Sequence, residues 1–517
     1  MLGGLALAAC STSSVLQTVG VDQGYLGAVV GDEPRAVLVA RDVLASGGNA
    51  ADAAVAMYFA LAVTYPAAAG LGAGGACIVY DLGQDRTEAL DFPARAAAPD
   101  AVTGLPGAVR GFFSLNTRYG NSEWGQLLGP AEQLARFGHP VSRALARVLA
   151  AEAPRLLADP GAAAIFGKGD GTVLSEGDKL TQLDLAAVIT RLRTRGPGQF
   201  YNGSLARDMI DAAAAAGVPI DVEALRSYQP KWSETAWVRE GFARVHAVPN
   251  ASGVAMLQVW RMIVDRLDTG DPALRDHLIA EASMRAWADW IERRDQGRAV
   301  DPATLVSADY VDGLMAGYAP DSHRPPARLA AGAKGPGTGG GATSFAILDG
   351  DGSAVACTVS LNRPFGVARV LPGSGIIPAA APSGDGGVES PAMIIDHNSL
   401  SPIFIGAAVG GGAAPVSLAT VMARAVIGKT TLDAALAAPR LYDPAAPDVV
   451  AVESSPDRAS VAKRRAALEA RGHATREAPA LGLVNGILCL KGFTGAAGDC
   501  IQASDGRGGG LADVAQF

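Results

Sequence analysis

The chain has 517 residues, with 43 Lys and Arg against 51 Asp and Glu for a net charge of −8; 49% of residues are hydrophobic and 18% charged. That balance excludes a disordered chain, a coiled coil and a nucleic-acid binder working through bulk positive charge. The 64 glycines, 31 prolines and 6% aromatic content point to a core of small residues and tight turns, in two to four domains or one large layered α/β body.

Residues 1–10 read MLGGLALAAC, a short apolar run ending in Leu-Ala-Ala-Cys, followed by small polar residues at 11–14. This has the form of a bacterial lipoprotein signal, in which the cysteine is lipidated and everything before it is removed. Cys10 is therefore expected to anchor the protein to a membrane, with residues 1–22 as signal and tether and the body in the periplasm or outside the cell. No later run has the ~18 uninterrupted apolar residues of a membrane span. Cys77, Cys357, Cys489 and Cys500 form no C-x-x-C pair and have no neighbouring histidine, so neither a zinc site nor a redox motif is indicated. An odd cysteine count leaves at least one unpaired, and Cys357 reads as a small buried hydrophobe.

Residues 34–46 have apolar positions at helical spacing, with Pro at the first turn and Gly47-Gly48 as a stop. Asn49 is placed to cap a second helix, residues 50–63, whose small side chains leave little polar face and predict burial between layers. The glycine-rich stretch 71–76 leads into a short strand at 77–80; with no G-x-G-x-x-G opening a helix and no Gly-Lys-Ser/Thr, it does not read as a phosphate cradle. Residues 104–321 alternate helical stretches with loop signals and read as scaffold. Residues 331–341, AGAKGPGTGGG, are a flexible segment without side chains able to pack. A hairpin follows, with strands at 344–348 and 353–360 around the turn 349–352. A flexible segment abutting Thr343 and Ser344 reads either as an interdomain linker or as a self-cleavage site exposing a strand-terminal hydroxyl nucleophile.

The stretch GGNAADAAVAMYFALAVTYPAAAGLGAGGACIVYD (47–81) resembles the N-terminal signature of the γ-glutamyltransferases, also called glutathione hydrolases. The resemblance continues in order through residues 105–107, 124–142, 196–209, 343–366, 410–412, 438–440 and SDGRGGGLA near the C-terminal end. It implies an Ntn-hydrolase with a four-layer αββα sandwich, made as one precursor that cuts itself in two. Residues 23–341 would then be the large-subunit equivalent and 342–517 the small one, together forming one body. In that family a Thr hydroxyl at the cleavage point attacks the preceding carbonyl, and the freed Thr attacks a γ-glutamyl amide with its own amine as base. A Gly-Gly pair, here Gly410 and Gly411, holds the oxyanion through backbone N–H groups. The chemistry implies no metal and no organic cofactor, and a small-molecule amide or peptide as substrate.

Several family positions are altered. Register from Asp349 places Ala342 at the nucleophilic Thr, Thr343 at the second Thr and Ser344 at the His of the cleavage motif. Ala342 has no hydroxyl, which leaves Thr343 as the nearest substitute, one residue along and therefore on the opposite strand face. Ser344 shares the face of Ala342 but lies one strand repeat, roughly 6.6 Å, further in. The carboxylate-binding Arg is displaced to Arg95, the acidic clamp after Ile376-Ile377 has no carboxylate until Asp385, and the family's Ser pair falls on Gly387 and Val388. Thr358, Ser360 and Asn362 match the polar pocket wall. Three functions therefore compete: acyl transfer or hydrolysis from Thr343, a non-catalytic lipoprotein serving as binding or scaffold module, and hydrolysis by an unrelated site.

Other candidates read as structural. Ser460 and Lys463 form S-x-x-K within a capped surface helix. His139, His246, His277, His323, His397 and His473 are scattered and read as surface or loop residues. Asp385 and Glu389 flank a solvated loop, and Arg440 is expected to pair with a core carboxylate.

Overall fold

The computed structural model describes residues 24–516 apart from 97, 99, 268–269, 327–328, 331, 338, 383–389 and 497. Cys10 and its tether, Asp385, Gly387, Val388 and Glu389 lie outside the described residues. Two antiparallel sheets form the centre. Strands β1 (Tyr25–Gly31), β2 (Gly74–Asp81), β3 (Arg86–Phe92) and β4 (Lys231–Glu234) belong to the first, β5 (Ala236–Glu240) and β6 (Ala243–Ala247) to the second. After residue 341 follow β7 (Ala342–Asp349), β8 (Ala354–Ser360), β9 (Ser390–Asp396), β10 (Ser401–Val409), β11 (Leu483–Leu488), β12 (Ile501–Ala503) and β13 (Leu511–Gln516). The first sheet runs β13-β1-β7-β8-β2-β3-β4 and the second β12-β11-β10-β9-β6-β5. The hairpin β7–β8 is thus inserted between β1 and β2, so the regions before and after residue 341 are woven into one sheet.

Alternation along β7 sets the layers. Phe345 and Ile347 join the outer core beneath the helices of the N-terminal half, whereas Ala346 and Leu348 join a core between the sheets with Ile78, Met393, Ile405 and Ile487. A third core covers the outer face of the second sheet. The inter-sheet core is built largely of Ala, Val and Ile, which lets the two pleated surfaces approach closely. Helix α1 (Pro34–Ala45) begins with Pro and is capped by Glu33, whose carboxylate accepts from the Ala36 N–H. Helix α2 (Ala50–Thr64) is buried along its whole length; Asn49 and Asp52 form a reciprocal capping box. Both helices follow the expected boundaries. Helices α3 (Ala251–Ile263), α4 (Pro272–Asp295) and α5 (Ala413–Met422) build the layer on the second sheet. No helix among the described residues is long and apolar enough to cross a membrane.

Three expectations need correction. Cys357 is not a free hydrophobe: it lies directly opposite Cys77 across β8 and β2 and is disulfide-bonded to it, and Cys489 is bonded to Cys500. The strand at 77–80 starts three residues earlier, because Gly74 and Gly75 let the backbone pass where a Cβ would collide with Ala94 and with the Thr358 carbonyl. The glycine-rich segment is docked where it is described. The Gly335 N–H donates to Ala446 O at 2.7 Å, the Gly337 carbonyl accepts from the Gly412 N–H at 2.8 Å, and the Gly341 carbonyl accepts from Leu361 at 2.8 Å. Absence of side chains permits this backbone-on-backbone packing; the composition signalled only chain freedom.

Candidate active site at the open end of the hairpin

Strand β7 begins at Ala342, which pairs with Ser360 of β8; Thr343 pairs with Val359 and Ser344 with Thr358. Ala342 shares the inter-sheet face of Ser344, Ala346 and Leu348. Thr343 points the other way and is fully buried, and its hydroxyl donates to Asp32 Oδ2 at 3.0 Å. Asp32, just beyond β1, also accepts from the Ser344 N–H at 2.8 Å and from Asn485 Nδ2 of β11 at 2.8 Å. Burial pushes the Asp32 carboxyl up, and hydrogen bonds from Ser344, Asn485 and Thr343 oppose that rise. Asn485 Nδ2 further donates to the Ser344 hydroxyl at 2.9 Å. Ser344 and Thr343 are therefore both tied into one buried network that joins the two sheets.

Ser360 and Asn362 lie together beside the start of β7. Ser360 Oγ donates to the Gly341 carbonyl at 3.3 Å and accepts from the Asn362 N–H at 2.9 Å. The Asn362 side-chain amide donates to Ala380 O at 2.8 Å and Ala94 O at 3.3 Å. Asn362 adopts φ 64°, a left-handed conformation that Asn tolerates better than most residues. Thr358 is buried, with no hydrogen-bond partner for its hydroxyl among the described residues. Arg95 neighbours Ala94, but its side chain is exposed and lies over the Tyr228 ring at 5.5 Å. The structure thus brings Ala342, Ser360 and Asn362 together and turns the Arg95 guanidinium onto an aromatic face.

Gly410 and Gly411 connect β10 to α5 with φ 128° and 63°, values open to glycine and strained for other residues. The docked segment passes directly over them: a Cβ on Gly339 would lie 2.8 Å from the Gly411 nitrogen. Trp287 Nε1 donates to Gly412 O at 3.2 Å, fixing the turn from behind. In the unbroken chain the candidate oxyanion amides are covered by the chain's own backbone.

Arg440 pairs with the core carboxylate Asp505 at 2.5 Å, as expected, and donates to the Gly482 carbonyl at 2.6 Å. Ser460 lies in the helix Arg458–Glu469, whose N-terminus is capped by Asp457. The histidine reading is corrected. His139, His246, His277 and His473 are buried, and five of the six histidines form two networks. In one, His277 Nδ1 meets His473 Nε2 at 2.8 Å, while His323 bridges Glu281 (2.7 Å) and Asp448 (3.0 Å). Burial lowers the affinity of His323 for its proton, yet hydrogen bonds to Asp448 and Glu281 outweigh this and push its pKa up to about 9. In the other, Asp85, His397, His246 and Thr235 are linked in series. No sequence signal marked either group, since their members come from well-separated segments.

The family model described as Gamma-glutamyltranspeptidase matches residues 36–379 and 388–512. Glutathione hydrolase 3 of Arabidopsis thaliana is 27% identical over 392 residues, covering 68% of this chain and 59% of that protein. The glutathione hydrolase proenzyme of Escherichia coli is 30% identical over 394 residues, covering 70% of this chain and 67% of that one. Among solved structures, the cephalosporin acylase from Bacillus halodurans superposes with a TM-score of 0.80 at 22% identity, covering 99% of both chains.

Proposed function

Because the chain belongs to the gamma-glutamyltranspeptidase family, we propose that it is an uncleaved member that binds a small amide or peptide ligand without the N-terminal-nucleophile step. Its scaffold is that of a γ-glutamyltransferase-like amide hydrolase or transferase in the Ntn-hydrolase fold. One observation carries the proposal: Ala342 occupies the strand end facing between the sheets, while the nearest hydroxyl, on Thr343, faces the opposite layer and is held by Asp32. For Thr343 to attack the Ala342 carbonyl, β7 would have to rotate at its start and break both bonds to Asp32. The retained wall of Ser360 and Asn362 and the turn Gly410–Gly411 leave a polar, backbone-lined recess suited to an amide.

The test is intact-mass measurement with a denaturing gel under reducing conditions on the mature protein. Reductant is essential, since Cys77–Cys357 would hold the two parts of a cut chain together. A single chain is expected. Two chains, the smaller beginning at Thr343, would overturn the proposal and assign the family's acyl transfer to Thr343, with Asp32 as the group that orients its hydroxyl.

The same reading places the protein in the periplasm or outside the cell, tethered through lipid on Cys10. The two disulfides support it, since such bonds persist in oxidising compartments. Partition into a detergent phase that survives in Cys10→Ala would count against the anchor.

A further inference from the structure

Away from the hairpin, a cavity of about 370 Å³ lies where β4 runs into β5, and Thr235, Trp237, Arg244, His246 and His397 are among its lining residues. Arg244 and His246 stand two apart on β6, opposite Ile395 and Met393 of the inter-sheet core, so their side chains point between the sheets. Four side chains form one unbroken chain of hydrogen bonds there. Thr235 Oγ1 lies 2.7 Å from His246 Nδ1, His246 Nε2 lies 3.0 Å from His397 Nε2, and His397 Nδ1 lies 2.7 Å from Asp85 Oδ1.

The direction of each bond follows from the carboxylate end. A carboxylate only accepts, so His397 carries its proton on Nδ1 and, as a neutral ring, a lone pair on Nε2. His246 then donates from Nε2, which leaves a lone pair on its Nδ1 for the Thr235 hydroxyl to donate to. A hydroxyl, a base that takes its proton and groups that orient the base are the parts of an activated oxygen nucleophile. The second imidazole has a physical reason. Burial pushes the His246 pKa down to about 3, with His397 and Arg244 adding to the effect, so His246 is a poor resting place for positive charge. His397 is a better one, because its ring is part-exposed and its partner Asp85 is a carboxylate open to solvent. A proton leaving Thr235 is therefore handed through His246 to the His397–Asp85 pair. The other histidine group ends differently: among the described residues the bonds of His277, His323 and His473 run to one another, to carboxylates and to the Ala319 carbonyl, with no hydroxyl at an end.

We propose that Thr235 is the nucleophile of a second, ester-hydrolysing site, with His246 as its base, His397 and Asp85 as the relay behind that base, and Arg244 as the cation facing the developing oxyanion. Arg244 is held over the Trp237 ring at 4.5 Å, beside His246. Thr235 Oγ1 bonds to the ester carbonyl carbon as its proton passes to His246 Nδ1 and the Nε2 proton of His246 passes to His397 Nε2; the carbonyl electron pair moves onto oxygen, opposite Arg244. Collapse breaks the bond to the alkoxy group, which becomes the alcohol as the two protons run back along the chain. Water then attacks acyl-Thr235 through the same relay and releases the acid, so the balance is ester plus water to acid plus alcohol. At the moment of attack the proton has moved away from the leaving group. An alkoxide leaves and is protonated afterwards, whereas an amine needs its proton first, so the arrangement fits an ester and not an amide. This activity is independent of the missing hydroxyl at residue 342 and of what the recess beside the hairpin binds.

The test exposes the full chain to p-nitrophenyl acetate, follows p-nitrophenol release, and maps acetyl groups by peptide mass spectrometry after an acid quench. Release above the buffer rate with acetyl on Thr235 is expected. Thr235→Val, close in shape, should retain the fold by circular dichroism and lose both signals, with release down more than about 100-fold. His397 faces Asp85, His246, the Tyr80 ring at 6.3 Å and the adjacent Asp396. Once protonated it cannot accept the relayed proton, so release should fall in acid. Asp85→Asn removes the carboxylate that favours the imidazolium and should move that acid limb lower by about one pH unit, a shift that a merely structural Asp85 would not produce. Ser460→Ala, on the surface helix, should behave as the parent does. No release above buffer, acetylation only at residues other than Thr235, undiminished release in folded Thr235→Val, or an unmoved acid limb in folded Asp85→Asn would each overturn the assignment.

Discussion

The two ends of the hairpin β7–β8 carry opposite kinds of polar chemistry. At the closed end, the Asp349 carboxylate accepts from the N–H groups of Ala50, Asp351 and Ser353 at 3.0, 3.1 and 2.9 Å, so one side chain fixes both the turn and the start of α2. At the open end, the Ala342 side chain offers no polar atom, and the Thr358 hydroxyl and Asn485 Oδ1 are buried without partners among the described residues. The contrast separates what the fold needs from what the family's reaction needs. Asp349 organises the closed end through three backbone donors, and the side chain of Ala342 does not do the same at the open end.

That contrast can be broken most sharply at Asp349. Asp349→Ala strands several backbone donors in a buried turn and should cost about 3 kcal/mol by denaturant unfolding; a loss below about 1 kcal/mol would erase the distinction between the ends. Thr343→Val removes one donor to buried Asp32 while keeping the side chain's shape, for an expected loss of about 1–2 kcal/mol. The variant should remain one chain and keep whatever ligand binding the parent shows. Thr343→Val that abolishes binding or a cleavage seen in the parent would instead place Thr343 at the centre of the chemistry. The third handle is a pH slope. Burial pushes the Asp349 carboxyl up to about 6, so the fold favours its protonated form, and this group's stabilisation is full below about pH 4 and lost as pH rises through about 6. Asp349→Asn should flatten that part of the stability profile relative to the parent.

Much of this architecture was legible from local signals. Pro34, Asn49 and the Asp349–Gly352 turn mark helix starts and a hairpin through chemistry confined to a few neighbouring residues. The register from Asp349 back to Ala342 was equally local, and the open end of the site followed from it. The Cys77–Cys357 bond was not legible, because its partners are 280 positions apart and meet only through insertion of β7–β8 beside β2. The histidine networks were hidden for the same reason: Asp85, Thr235, His246 and His397 come from four separate elements. Composition misdescribed the described part of residues 331–341, since glycine confers freedom on an isolated chain and close approach within a fold.

The pairing of β1 with β13 sets Tyr25 beside Gln516. A short bridge between those strands would allow the chain to be circularly permuted, with new ends opened in the glycine segment just before Ala342. Such a permutant would present residue 342 with a free amine once the initiator methionine is removed, without any self-cleavage. Combined with Ala342→Thr, it would distinguish a scaffold that lacks only its nucleophile from one whose pocket has also ceased to support acyl transfer.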